Sequence, residues 1–455
     1  MTQLTSALPN WQLPVAGPAG EWADDQLPLR TETWLLGKPN HSDDETQRVQ
    51  ELREAVQRAA SHQPWQWPKR RTLFISDPHA DADAFVASLR AAGAISPGKD
   101  HSKKKKTLAT TFKLNRAGRR ARFIIGGDCL DKGPSNLSLL RSLKHLIDTG
   151  ADVKLLAGNH DMRLLVGLRS LDEEPNALTE HLFVRMSPKA MPLLQEVYEE
   201  YVAHRPKALK GIPDEAECRR RLLPRASWYK AFPKQAAGLL SEEALTREVV
   251  RLHKKASHFE KHCHDAGMGM REVYATAKAC QRLFLHPKGE FFWFFDSMKL
   301  AHKSGSFLFV HAGLDDSIAA LIAEKGIGCL NKLYRKQIRK DLFTFYYGTV
   351  ANTMRTKYRN VDMPLSDIGV ARVHRKGIHA VVHGHRNRHD GQRLMLRQGL
   401  LHVEGDTTLD RHSRHKEGLS GIGAAVTVIE PSGRVIGISN DYPFAKVFEP
   451  GEYLR

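Results

Sequence analysis

The chain has 455 residues, of which 26% are charged and 41% hydrophobic, and it carries a formal net charge of +18. That length exceeds one typical domain but admits a single large α/β core with insertions, and the charge favours anionic partners: phosphorylated protein, nucleotide, polyphosphate or nucleic acid. The 5 cysteines are odd in number, scattered and without a C-x-x-C pair, which excludes a disulfide framework or zinc knuckle and fits a reducing compartment.

From the N-terminus, residues 1–45 are rich in Pro, Trp, Thr and Asp without clear periodicity and are expected to form an extended arm. Met1 to Gly20 lacks a basic segment followed by an apolar one, so a soluble, cytoplasmic protein is expected, with no membrane association. Val49, Leu52 and Val56 recur at helical spacing, predicting an amphipathic helix from Asp44 to about Ala60. The apolar run Thr72-Leu73-Phe74-Ile75-Ser76 predicts a buried strand ending in Asp77-Pro78-His79, followed by a helix from Asp83 to Ala92. Gly93-Ala94-Ile95-Ser96-Pro97-Gly98-Lys99-Asp100 approximates a phosphate loop, but Asp100 stands where a hydroxyl would hold magnesium, and the segment follows a helix. It reads as a loop. Lys99 to Arg122 carries ten Lys or Arg against one Asp, including Lys103 to Lys106, and is expected to be a solvated loop able to contact polyanions.

Further strands are predicted at Phe123-Ile124-Ile125-Gly126-Gly127, Val153-Lys154-Leu155-Leu156-Ala157, Phe307-Leu308-Phe309-Val310 and Ala380-Val381-Val382-His383. Each runs into a short motif: Gly127-Asp128-Cys129-Leu130-Asp131-Lys132-Gly133, Gly158-Asn159-His160-Asp161, His311-Ala312-Gly313 and Gly384-His385. Between Asp161 and Phe307 the apolar spacing is helical, with Leu193, Leu194 and Val197, then Ser241 as an N-cap ahead of Leu245, Val249 and Leu252, then a helix from Met270 to Leu285. A stretch of that length is too great for a structureless loop, so it predicts a helical cap. His258, His262 and His264 have no second cluster of ligands and read as solvated or packed. The Phe291 to Phe295 run reads as packing rather than a base-stacking surface. The domain plan is thus an extension over 1–69, a core over 70–165, a helical insertion over 166–304 and the remaining core over 305–455.

Five strands ending in Asp, His, Asn and His deliver a mixture of carboxylate, carboxamide and imidazole donors to one sheet edge, where open α/β sheets place their ligand sites. Two divalent ions about 3.5–4 Å apart need such a mixture with a bridging carboxylate. Mn, Fe, Zn or Co suits it better than an all-oxygen calcium or magnesium cage.

These motifs resemble the calcineurin-like metallophosphoesterases, over residues 71–165 and about 305–440. Within that family, the Gly-Asp-x-x-Asp-x-Gly-Pro, Gly-Asn-His-Asp and Val-His-Ala-Gly stretches are most similar to the phosphoprotein phosphatase branch, which includes bacterial Ser/Thr phosphatases and diadenosine tetraphosphate hydrolases. The resemblance implies a four-layer α-β-β-α metallophosphatase sandwich with a helical cap insertion. By it, Asp77, His79 and Asp128 would hold a first metal, Asp128 would bridge, and Asn159, His311 and His385 would complete a second. His160 would be the general acid, oriented by Asp131. Two departures stand out. Arg386 and Asn387 follow His385 where many relatives supply another His ligand, and Lys132 replaces an arginine that clamps phosphate. Arg355 and Arg359 are the candidates for a further phosphate-binding cation, and His383 reads as a packed strand residue. The expected function is a two-metal phosphatase, manganese being the first choice of ion, which hydrolyses phosphomonoesters or nucleotide anhydrides by attack of a metal-bound hydroxide. A phosphodiesterase or nuclease on the same core is the alternative, and a non-catalytic basic scaffold is the weaker one.

Overall fold

A computed structural model describes residues 27–37, 44–97, 112–186, 189–205 and 207–454. Its strands are β1 (Arg30–Thr33), β2 (Thr72–Ile75), β3 (Ile95–Pro97), β4 (Phe112–Leu114), β5 (Arg122–Ile125), β6 (Asp152–Leu155), β7 (Ala301–Ser304), β8 (Phe307–Val310), β9 (Ala380–His383), β10 (Arg393–Arg397), β11 (Leu400–Glu404), β12 (Ala425–Ile429), β13 (Val435–Ser439) and β14 (Phe444–Phe448). They form a seven-stranded sheet in the order β1-β14-β13-β12-β2-β5-β6 and a five-stranded sheet in the order β10-β11-β9-β8-β7. The two-stranded pair β3-β4 stands apart.

The helices are α1 (Glu45–His62), α2 (Ala82–Ala91), α3 (Arg116–Arg120), α4 (Asn136–Asp148), α5 (Asn159–Ser170), α6 (Leu182–Met186), α7 (Met191–Tyr201), α8 (Glu215–Leu222), α9 (Trp228–Gln235), α10 (Glu242–Asp265), α11 (Met270–Phe284), α12 (Phe292–Ser297), α13 (Asp316–Lys340), α14 (Leu342–Tyr347), α15 (Asp367–Arg375) and α16 (Arg411–Lys416).

Successive strand residues point to opposite faces, and this sorts the apolar side chains into layers. Phe74, Ile124, Phe307, Phe309, Ala380 and Val382 meet between the two sheets. Their neighbours Leu73, Ile75, Phe123 and Ile125 face outward with Phe85 and Leu140 of the covering helices, while Leu308 and Val381 share that outer environment with Ile318 and Ile322 of α13. The result is the four-layer sandwich with helices outside both sheets. β2, β5 and β6 run parallel, as do β8, β9 and β11, so their carboxyl ends gather at one edge.

The segment before residue 70 is more than an arm. β1 pairs in parallel with β14, Trp34 and Leu36 enter the inter-sheet core, and α1 buries Leu52 and Val56 there. Asp44 caps α1 by accepting from the Thr46 N–H at 2.9 Å. Residues 98–111, with Lys99 and Lys103 to Lys106, lie outside the described residues; ahead of them Gly93 turns the chain into β3, and after them β4 and α3 stand where a solvated loop is expected, because Phe112 and Leu114 are buried.

Between α5 and β7 the described chain is helical throughout, α6 to α12. Ser241 accepts from the Ala244 N–H at 3.3 Å and so caps α10. Phe291, Phe294 and Phe295 are buried, which is the packing role expected of that run. Among the described residues no helix is long and apolar enough to cross a membrane.

Trp34 tests the placement of the N-terminal strand. Trp34→Ala should cost about 3–5 kcal/mol of stability, the scale for truncating a buried aromatic, measured by urea unfolding. A change below about 0.5 kcal/mol, typical of surface substitutions, would mean that this segment is a dispensable arm.

Candidate metal centre

The backbone brings the donor residues together under strain. Asp77, His79, Asp128 and His385 all have left-handed backbones, with φ of 54°, 39°, 51° and 67°. Such conformations cost an L-residue about 1–2 kcal/mol each and persist where the surroundings enforce them. Here Asp77 N–H donates to Gly127 O at 3.2 Å, and His79 N–H to Asp128 O at 3.0 Å, tying the β2 and β5 loops together. Close approach requires glycine twice: a Cβ at Gly158 would collide with Asp128, and one at Gly384 with Asp77.

Asp128 lies at the centre. Its Oδ1 accepts the His160 backbone N–H at 2.8 Å. Its Oδ2 is 3.5 Å from His311 Nε2, 3.7 Å from His160 Nε2 and 3.9 Å from His79 Nε2. Buried Asp161 fixes this loop, because its carboxylate accepts the N–H groups of Cys129 and Leu130, both at 3.0 Å, and of Gly158 at 3.2 Å. The imidazoles are oriented from behind. His311 donates Nδ1–H to Gly126 O at 2.8 Å and His79 donates Nδ1–H to Leu130 O at 3.2 Å, leaving each Nε2 as the ligand atom.

Donor atoms of His79, Asp128 and His160 lie within 4.8 Å of one another, and so do those of Asp128, His311 and His385. Asp128 belongs to both groups. Asn159 adds a carboxamide whose Oδ1 stands 2.9 Å from His385 Nδ1, 3.2 Å from His311 Nε2 and 3.3 Å from Asp128 Oδ2. An oxygen facing acceptors is favourable only with a cation among them. Turned the other way, the amide would donate to all three while its oxygen accepted from Arg163. Asp77 is near, with Oδ1 3.9 Å from His79 Nε2 and Oδ2 accepting the His385 N–H at 3.1 Å.

Electrostatics favour a cation on the same grounds. Burial, then Asp406, drives Asp77 well above the usual carboxylate range. Burial also raises Asp406. Asp128 feels the same burial, but His311 and His160 pull it well below that range. Burial works against protonation of His311, yet Asp128 and Asp77 lift it to about 10. Such a crowd of buried carboxylates and imidazoles is costly without compensating positive charge, and its mixed donors fit a divalent transition ion. Asp406 was not anticipated, although Gly405-Asp406 at the end of β11 repeats the strand-end pattern of the other motifs.

Beside this cluster His160 Nδ1 and Asp131 Oδ2 are 2.6 Å apart. Burial raises Asp131 to about 7 and holds His160 well below the ordinary imidazole range. The helical insertion buttresses the pair. Glu196 of α7 accepts the Asn136 N–H at 2.8 Å and its side-chain amide at 2.7 Å, and Asn136 Oδ1 accepts the Asp131 N–H at 2.8 Å. The insertion also brings Lys189 Nζ to 3.3 Å from His160 Nε2. Arg163, one turn into α5 from Asn159, lines the same cleft.

The expected phosphate-binding cations divide. Lys132 is in place, its Nζ 2.7 Å from His79 Nε2. Arg355 is not at the site: its guanidinium is spent on the carbonyls of Tyr346, Tyr347 and Gly348 and on Asn352. Arg359 is 61% exposed and pairs with Asp362 at 3.1 Å. Burial, Arg359 and Lys132 lower the pKa of Lys357 between them, against the pull of Asp406. His383 is a packed strand residue, donating to Gly384 O at 3.0 Å with its ring against His402. His258, His262 and His264 belong to no metal-competent group among the described residues.

Residues 70–215 match the family model of the calcineurin-like phosphoesterases. The chain carries a calcineurin-like phosphoesterase domain. The match supports a hydrolase of phosphoric esters. Solved structures similar to this chain include a cold-active protein tyrosine phosphatase at 13% identity, covering 92% of this chain and 89% of that one with a TM-score of 0.41. Another structure of a cold-active protein-tyrosine phosphatase, from a psychrophilic Shewanella species, is 13% identical over 92% and 91% with a TM-score of 0.39. A protein serine/threonine phosphatase from Saccharomyces cerevisiae is 12% identical over 88% and 90% with a TM-score of 0.36. No curated protein sequence matches the chain.

If Asp128 is shared by both donor groups, Asp128→Asn should remove most bound metal as well as activity, since a neutral carboxamide bridges two cations poorly. Elemental analysis after dialysis against Mn tests this. Retention of the wild-type metal content would show that Asp128 is not the bridge.

Proposed function

We propose that the chain is a two-metal phosphatase of the phosphoprotein phosphatase type, cleaving phosphomonoesters or nucleotide anhydrides. The observation that carries this reading is the sharing of Asp128 Oδ2 between the His79–His160 and His311–His385 groups. Asp77, His79 and Asp128 would hold one ion; Asp128, Asn159, His311 and His385 the other, manganese being the first choice. When bound, the ions bring the pKa of water toward neutrality and stabilise charge on the phosphoryl oxygens.

The chain's own groups do the rest. Lys132 now donates toward His79 Nε2, and ligation there would release its ammonium to the substrate phosphate. Arg163 and Lys189 supply further positive charge on the leaving-group side, a role first assigned to Arg355 and Arg359. His160 Nε2 gives its proton to the departing oxygen, while Asp131 fixes the ring through Nδ1. An incoming phosphate dianion offsets the burial that depresses His160. The cap over the His160 side restricts which leaving groups enter. The basic stretch 99–122 adds salt-dependent attraction for long anionic substrates.

His160→Asn should lower kcat on phenyl phosphate by about 10²–10⁴, the scale of general acid catalysis, and should leave metal content unchanged. The loss should shrink on p-nitrophenyl phosphate, whose leaving group needs no proton. Equal losses on both esters would remove His160 from the acid role. Wild-type enzyme with Mn should turn over p-nitrophenyl phosphate faster than bis(p-nitrophenyl) phosphate, and the opposite preference would favour the phosphodiesterase or nuclease reading.

A further inference from the structure

Next to the proposed centre, four guanidinium groups converge on one carboxylate. Glu404, fully buried at the end of β11, accepts from Arg393 Nε at 2.8 Å and Arg397 Nη2 at 2.7 Å. Arg386 and Arg388 complete the ring at 3.5 and 3.8 Å. Among the described residues, Glu404 is the carboxylate within ion-pair distance of all four. Four positive charges against one negative leave a surplus of three.

Solvent does little to spread that surplus. The side chains are 26% exposed at Arg386 and Arg388, 9% at Arg393 and 14% at Arg397. Arg386 Nη1, Arg388 Nε and Arg397 Nε are buried without a hydrogen-bond partner. Unmet donors of charged groups cost more than neutral ones, and uncompensated buried charge costs more still. A phosphate group supplies what is missing, because its oxygens match the fork of a guanidinium.

The cluster also connects to the centre. Arg386 directly follows His385, and Lys357 is close enough to both Lys132 and Arg386 for each to lower its pKa. Positive charge therefore continues from Lys132 through Lys357 to Arg386.

We propose that Arg386, Arg388, Arg393 and Arg397 around Glu404 form a second anion site, which takes a phosphate group other than the scissile one. The reading of that phosphate as the distal group of a substrate with more than one phosphate rests on the proposed phosphatase activity. A free phosphate-class effector is the other source of the same chemistry.

The test compares full-length wild type with the pair Arg386→Gln and Arg388→Gln, leaving the two arginines hydrogen-bonded to Glu404 intact. Inorganic pyrophosphate is titrated calorimetrically into metal-depleted protein. In parallel, the ratio of kcat/KM on tripolyphosphate to that on p-nitrophenyl phosphate is measured with excess Mn. We expect pyrophosphate binding to weaken at least about tenfold, the scale for removing charge-assisted contacts, and the ratio to fall by a similar factor through KM. Weaker binding with an unchanged ratio supports the site with a free effector as its occupant. Unchanged binding and an unchanged ratio overturn the proposal. If wild type turns over neither substrate but the variant still binds pyrophosphate more weakly, the phosphatase reading fails and the anion site stands. Should the glutamine pair not fold, Arg386→Lys with Arg388→Lys keeps the charge and loses the fork, and pyrophosphate affinity equal to wild type would then overturn the proposal.

Discussion

The Asp128 carboxylate is the point on which the arrangement depends. It is buried, it takes a backbone N–H on one oxygen, and its other oxygen faces three imidazoles between 3.5 and 3.9 Å away. Getting it there requires a left-handed turn at the end of β5, a glycine opposite it at Gly158, and Asp161 holding three N–H groups of the two loops. None of these features favours folding in isolation. The inter-sheet core of Phe74, Ile124, Phe307 and Phe309 supplies the rigidity that holds them in place.

Near the candidate centre, the insertion reaches the His160–Asp131 pair. Glu196 reaches Asp131 through Asn136, and Lys189 reaches His160 directly. The candidate donors Asp77, His79, Asp128, Asn159, His311 and His385 follow strands of the two sheets, which the insertion does not supply. On the proposed function, the insertion is placed to shape leaving-group selectivity while the donors stay with the sheets.

What was legible in the sequence was whatever short-range pattern encodes. Apolar runs ending in Asp, Asn or His located β2, β5, β6, β8 and β9 and named six candidate donors at their ends, because a strand and the residues that follow it are adjacent in the chain. The cap at Ser241 was legible for the same reason. Arg355 and Arg359 were misjudged since a guanidinium's partner is set by tertiary contacts: Arg355 closes carbonyls of α14, and Arg359 pairs locally with Asp362. Lys189 and Arg163 carried no signal beyond their charge. Asp406 does carry one, a Gly-Asp at the end of an apolar strand. Trp34 looked like part of an arm because four residues of β1 are too few to show a period, and its burial depends on a strand more than 400 residues later.

The claim that two ions share Asp128 is tested most directly by anomalous diffraction from crystals grown with Mn, recorded on either side of the metal's absorption edge. The account predicts two anomalous peaks about 3.5–4 Å apart with the Asp128 carboxylate between them, one beside Asp77 and His79 and the other beside Asn159, His311 and His385. A single peak at full occupancy, or two peaks with Asp128 bound to neither, would contradict it.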